Sequence, residues 1–184
     1  MTCQSSPTQG HCLDRPSEWV ARWAQRIMPH GAVLDLACGS GRHSRFLAAQ
    51  GFRVCAVDRD PQALGALCGI AGVTVLSADL EGGPWPLQGA KFDGIVVTNY
   101  LYRPLFPRIL DALTPAGVLI YETFAAGNER FGKPSNPDFL LRPGEMLEVV
   151  RGRLRVVVYE DLEVTVPKPA RIQRICALGL CGEA

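Results

Sequence analysis

Between Val33 and Asp58 the chain reads VLDLACGSGRHSRFLAAQGFRVCAVD. An apolar run breaks at Gly39-Ser40-Gly41, an amphipathic stretch follows, Gly51 stops it, and a second apolar run ends on an acid. The apolar runs read as strands buried on both faces. The stretch Arg42–Gln50 between them reads as a helix, with His43, Phe46, Leu47 and Gln50 on one side. Two buried strands joined by a crossing helix must lie parallel in one sheet, because a parallel pair needs a connection of that length. This single segment commits the chain to an α/β architecture and leaves all-helical bundles and antiparallel sandwiches aside.

The alternation continues. Pro16 opens a helix with Trp19, Val20, Trp23 and Ile27 as its apolar stripe, stopped at Pro29-His30-Gly31. Ala32–Cys38 is the first strand and Arg53–Asp58 the second. Pro61 starts a helix through Cys68, since proline suits a first helical turn. Val73–Leu80 is the third strand, Phe92–Asn99 the fourth and Gly117–Phe124 the fifth, with a helix over Pro104–Leu113. The pattern then changes. Residues 125–137 form a polar loop long enough to be either a lid or a plain surface connection. Pro143–Val150 is a short helix. The β-branched runs Arg153–Val166 and Ala170–Leu178 meet at Pro167-Lys168-Pro169 as an antiparallel hairpin. Residues 1–15 are expected to be a flexible segment and 16–184 one domain, which suits a chain of 184 residues with 47% hydrophobic composition.

A formal net charge of +1 provides no global field toward nucleic acid or an anionic membrane. No apolar run is long enough to span a bilayer, and the N-terminal residues lack the pattern of a secretory signal, so a cytoplasmic protein is expected, as monomer or homodimer. The seven cysteines are scattered. Cys38, Cys55 and Cys176 lie in apolar runs as small buried hydrophobes. Cys3, His11 and Cys12 fit no regular zinc spacing, and Cys176 and Cys181 lack the gap of a redox pair, so no metal site is expected.

In an open parallel sheet a ligand sits beyond the carboxyl ends of the strands, where strand order reverses. Gly39 and Gly41 fall there. Glycine permits the tight turn and removes the Cβ that would keep a ligand from the main chain. Asp58 ends the second strand, where a carboxylate can accept from two ribose hydroxyls. Asp79 ends the third, where it can accept from the amine of an adenine. Together they describe an adenosine pocket. Each has a plainer alternative: Asp58 or Asp60 can cap the helix that follows, and Asp79 can cap a turn. Asp35, inside an apolar strand, must be hydrogen-bonded, paired or facing a cation, because an isolated buried carboxylate is costly.

The stretches LDLACGSGRHS, VDRD, SADL, FDGIVVTNYLYRPL and GVLIYETF, in this order, resemble the successive motifs of class I S-adenosylmethionine-dependent methyltransferases, and most of all the small tellurite-resistance-type members. The resemblance implies a Rossmann-like three-layer sandwich whose seven-stranded sheet has six strands parallel and the last antiparallel. It also implies S-adenosyl-L-methionine as cofactor. Asp35 and the turn Ala37, Cys38, Gly39 to Gly41 would hold the methionine portion, Asp58 with Arg59 the ribose, Asp79 and Leu80 the adenine, and Asn99 would border the transferable methyl. A nicotinamide dinucleotide fits less well: Ser44 stands where that fingerprint wants a third glycine, and Asp35 would repel a pyrophosphate.

The acceptor should lie over the tips of the fourth and fifth strands. Asn99, Tyr100, Tyr102, Arg103, Glu122 and Phe124 are the candidates there, with Asn99, Tyr102 and Glu122 as the candidate catalytic residues, Tyr102 and Phe124 as an apolar wall, Glu122 as a base and Arg103 as a holder of an anionic acceptor. The aromatics can equally be core, and Arg103 a solvated helix start. The run after Asn99 lacks the prolines of base-amino methyltransferases, and nothing marks a dedicated nucleic-acid groove. The expectation is methyl transfer to a small molecule. Transfer to protein or RNA is the alternative, as is a silent protein that binds cofactor or a partner without turnover.

Overall fold

The computed structural model describes residues 15–180. The expected flexible segment falls, but for Arg15, outside the described residues, as do Cys3, His11, Cys12 and Cys181. Helix α1 (Glu18–Trp23) begins where the Ser17 hydroxyl accepts from the Trp19 N–H, two residues later than Pro16 suggested, and tightens into a 3₁₀ turn at Ala24–Arg26. Then come β1 (Ala32–Leu36), α2 (Arg42–Ala49), β2 (Arg53–Asp58), α3 (Pro61–Gly65), β3 (Val73–Ser77), β4 (Phe92–Thr98), α4 (Phe106–Asp111), β5 (Leu113–Phe124), α5 (Glu145–Val150), β6 (Leu154–Val164) and β7 (Ala170–Gly179).

The strands make one seven-stranded sheet in the order β3-β2-β1-β4-β5-β7-β6. Neighbours among β1 to β5 are parallel, and β7 runs antiparallel to both β5 and β6. Six strands therefore point one way and the last in the chain is reversed, wedged between β5 and β6. The chain winds outward from β1 through β2 to β3, then returns to β4 beside β1. That reversal opens a crevice at the carboxyl ends of β1 and β4.

Period-two alternation with both faces apolar produces the layers. Val33, Val54, Val96, Ile120 and Cys176 pack against Trp19 and Val20 of α1 and Leu47 of α2. Leu34, Leu36, Ile95, Val97, Leu119, Tyr121 and Ile175 pack against Ile109 of α4 and Met146 and Val150 of α5. Pro107 lies in the first turn of α4, where its missing N–H costs no helical bond.

Several boundaries differ from expectation, each for a local reason. β1 stops at Leu36 because Ala37 turns to a positive φ of 54°, so Ala37 and Cys38 belong to the turn. β4 stops at Thr98 for the same reason, Asn99 having φ of 54°. β3 ends at Ser77, so Asp79 sits beyond the strand. Helix α3 ends at Gly65 and the chain reaches Cys68 in looser turns.

Candidate active site

Three strand tips and one loop converge on the crevice. After β1 the main chain turns tightly, the Cys38 N–H donating to the Val57 carbonyl and the Gly41 N–H to the Cys38 carbonyl. The two glycines serve different ends. A Cβ at Gly41 would stand 2.4 Å from the Leu67 side chain, so this glycine lets the turn pack on the α3 region. A Cβ at Gly39 would meet nothing within 4 Å: this one faces open space. Both have positive φ. At the tip of β2, Asp58 Oδ2 accepts the Gly39 N–H at 2.7 Å and Oδ1 accepts the Asp60 N–H at 3.0 Å. Asp58 thus fixes the turn. Asp60 is the residue that caps α3, accepting from Gln62.

Beside this turn lies a cleft of about 170 Å³. It brings together Ala37, Asp58, Arg59, Asp79 and Leu80, five of the residues singled out for the cofactor, with Tyr100, singled out for the acceptor side, and adds Ala78 and Glu81. Asp79 Oδ1 accepts the Glu81 N–H at 2.9 Å, the turn-capping alternative, while its side chain still lines the cleft. Glu81 had no signal of its own: it stands in a Gly- and Pro-rich loop whose course only the fold determines.

Asp35 is enclosed, 1% exposed, and accepts the Ser44 hydroxyl at 2.6 Å. Burial pushes its carboxyl up to about 6, against the opposing pull of Ser44. His43, next along α2, is equally enclosed, and burial followed by the nearby Arg42 lowers its imidazole to about 3. Its Nε2 accepts the Ser17 N–H at 3.1 Å, which places the ring proton on Nδ1, 3.4 Å from the Thr98 hydroxyl. Neither Ser17 nor His43 was assigned a site role from sequence, because their partners come from distant elements.

The three candidate catalytic residues are not brought together as one constellation. Asn99 turns at the tip of β4, its N–H donating to the Glu122 carbonyl. Glu122 lies on the α1 face, where Oε1 accepts the Ser17 hydroxyl at 2.7 Å and Oε2 stands 3.4 Å from the Arg174 guanidinium. Arg174 is itself held by Glu160 at 2.6 Å and stacks 4.6 Å from the centre of the Trp19 ring. Tyr102 faces the other way, its hydroxyl donating to the Glu81 carbonyl at 3.0 Å on the loop after β3.

Arg103 requires a correction. Its guanidinium is spent on Glu145 (2.7 Å) and on the carbonyls of Asp138 and Leu140, so it is not free for an anionic acceptor. The loop from 125 is likewise tied down. Asn128, 1% exposed, donates to the Pro134 carbonyl and accepts the Arg171 N–H, and Arg130 pairs with Glu163.

Comparison with known proteins agrees with this geometry. A family model described as a methyltransferase domain matches residues 33–117, from β1 into β5. The tRNA U34 carboxymethyltransferase of Shewanella sediminis is 30% identical over 168 residues, covering 74% of this chain and 49% of its own length. The chain thus spans about half the length of that relative. Among solved structures, TehB from Haemophilus influenzae superposes with a TM-score of 0.74 at 18% identity, covering 87% of this chain and 61% of TehB. A TehB-like SAM-dependent methyltransferase from Corynebacterium glutamicum has a TM-score of 0.63 at 22% identity, covering 86% of each chain. Sheet order and superposition alike give this chain the fold of these S-adenosylmethionine-dependent methyltransferase structures, and its β1-to-β5 half matches the methyltransferase-domain family.

Proposed function

We propose that this chain moves the methyl group of S-adenosylmethionine onto a small-molecule acceptor. The observation that carries the reading is the cleft at the sheet's reversal point, with Ala37 of the glycine turn on one flank and the carboxylates of Asp58 and Asp79 on the other. In this reading Asp58 accepts from the ribose hydroxyls, with Arg59 beside it. Asp79 and the main chain at Leu80 take the adenine. The turn from Ala37 through Cys38 and Gly39 to Gly41, backed by Asp35, takes the methionine portion. Asn99 borders its methyl end. Three acids against one arginine suit a cofactor that carries a sulfonium and no phosphate.

The sulfonium supplies an electrophilic methyl carbon. The protein's part is to align an acceptor lone pair behind that carbon and to keep water out. Glu122 would have to exchange its bond from Ser17 for one to the acceptor before it could take a proton, so acceptors that arrive deprotonated suit this site best.

RNA is the second reading, because the relative named above is a tRNA enzyme. Against it, the formal net charge is only +1, and Arg130, Arg151, Arg153, Arg171 and Arg174 each pair with a carboxylate of this chain, which makes them less available for phosphate contacts. Labelled methyl from the cofactor, incubated with cell extract, is expected in the small-molecule fraction; label in RNA would establish the second reading instead. Asp58→Ala should weaken S-adenosylhomocysteine binding by roughly 1.5–3 kcal/mol in calorimetry, the worth of hydrogen bonds to a charged group. Unchanged affinity would remove Asp58 from the ribose role.

A further inference from the structure

Tyr100 follows Asn99 beyond the tip of β4 and lines the cleft with Asp58, Asp79 and Glu81. Its main chain is pinned from behind, the Tyr121 hydroxyl donating to its carbonyl at 2.8 Å. Its own hydroxyl is shut off from solvent, and no described protein atom completes a hydrogen bond of ordinary geometry with it. The Glu81 carboxylate is the charged group that acts on it most strongly. Burial first, then Glu81 and Asp79, push the phenol far above its usual range, so it stays a protonated donor. A phenol hydroxyl held out of water without a partner is destabilising, and a ligand that accepts from it gains what the empty cleft lacks.

Glu81, Asp79 and Tyr102 are the groups that act most strongly on this hydroxyl beside burial. Tyr100 shares the cleft with Asp79, and its neighbour Tyr102 reaches the loop that carries Asp79, which associates it with the end read as the adenine position. An adenine offers an amine donor and ring-nitrogen acceptors on its edges. The Asp79 carboxylate complements the amine, and a phenol O–H complements a ring nitrogen. Tyr102 supports the same end by holding the Glu81 carbonyl, and with it the loop that carries Asp79 and Leu80.

We propose that Tyr100 is a specificity-determining residue for the cofactor's base, its hydroxyl donating to a ring nitrogen of the adenine while Tyr102 positions the facing loop. This rests on the reading of the cleft as the adenosine site. The two tyrosines of the segment after β4 thus serve the cofactor side of the crevice, and the acceptor wall must be built from other residues.

The test is calorimetric binding of S-adenosylhomocysteine and of its 1-deaza, 3-deaza and 7-deaza analogues to the wild type and to Tyr100→Phe. The variant is expected to bind S-adenosylhomocysteine roughly 5- to 10-fold more weakly, the loss of one hydrogen bond. The wild type should lose a similar factor on one of the three analogues, and the variant should lose nothing further on that analogue. Without ligand the variant should melt at or above the wild-type temperature. Equal affinity of wild type and variant, identical deaza penalties in both, or a lower melting temperature of the free variant would each overturn the role of Tyr100. Absence of S-adenosylhomocysteine binding to the wild type would instead overturn the adenosine reading itself.

Discussion

Asp35 and His43 are enclosed to the same degree near the start of α2, and burial moves their titrations in opposite directions for folding. Asp35 has its carboxyl raised to about 6, so the native state holds that proton more tightly than the unfolded chain does. Its contribution to stability is complete below about pH 4 and is lost as pH rises through 6. His43 is lowered to about 3, so acid lets the unfolded chain take up a proton that the native state refuses, and stability is lost as pH falls below about 6.5. Between about pH 4 and 6 the two slopes nearly cancel. Asp35→Asn keeps an acceptor for the Ser44 hydroxyl and removes one of them. Relative to wild type, that variant should lose about 1.4 kcal/mol for each pH unit of acidification from 6 to 4, and should be the more stable protein at pH 7. Urea unfolding at pH 4, 5, 6 and 7 measures this, and parallel curves for the two proteins would refute it. The same substitution removes the negative charge beside the turn proposed for the methionine portion, so the gain in stability at pH 7 should come with weaker cofactor binding. A buried ionised acid retained at a cost to stability is what a cation site requires.

At the scale of elements, the connection from β5 to α5 is held by a staple that spans the chain. Glu145, 7% exposed at the start of α5, takes Arg103 at 2.7 Å and Arg142 at 3.4 Å. Burial raises the Glu145 carboxyl, but the two arginines more than offset it, and the net shift is downward. Its contribution is therefore present above the ordinary glutamate range and lost on acidification. Glu145→Gln should cost about 2 kcal/mol, discounted for the partial exposure of Arg103, and should expose residues 131–139 to proteolysis at neutral pH. A melting curve and a limited digest test both; an uncut loop would mean that Asn128 alone suffices to hold it. The staple also shows what sequence can and cannot convey. Strand β2 and the β6–β7 hairpin were legible because their apolar pattern and flanking breakers are local. The glycine turn and Asp58 were legible because spacing along one β-α-β unit converts directly into position. Arg103 was misread because its partner lies on another helix, and no local pattern distinguishes a solvated cation from a stapled one. Tyr102 was placed on the acceptor side because periodicity identifies a strand tip without saying which way the chain leaves it, and Asn99 turns it toward β3.

For the molecule as a whole, the crevice matters because it collects groups from elements that share little else. Ala37 follows β1, Asp58 ends β2, Asp79 and Leu80 lie beyond β3, and Tyr100 follows β4. None of these tips is near another in the unfolded chain, so a ligand that bridges them binds the native state alone and must stabilise all of it. S-adenosylhomocysteine at a hundred times its dissociation constant should add about 2.7 kcal/mol, which raises the melting temperature of a chain this size by roughly 5–10 °C. The charge of the lining sharpens the prediction. Asp58, Asp79 and Glu81 face the cleft with only Arg59 to oppose them, so a polyphosphate brought to the same place meets repulsion that a nucleoside thioether does not. ATP at equal concentration should leave the melting temperature unmoved, and the contrast should shrink as salt screens the acids. A shift from ATP as large as that from S-adenosylhomocysteine would show that the crevice reads adenosine by shape alone and that its three carboxylates take no part in choosing the ligand.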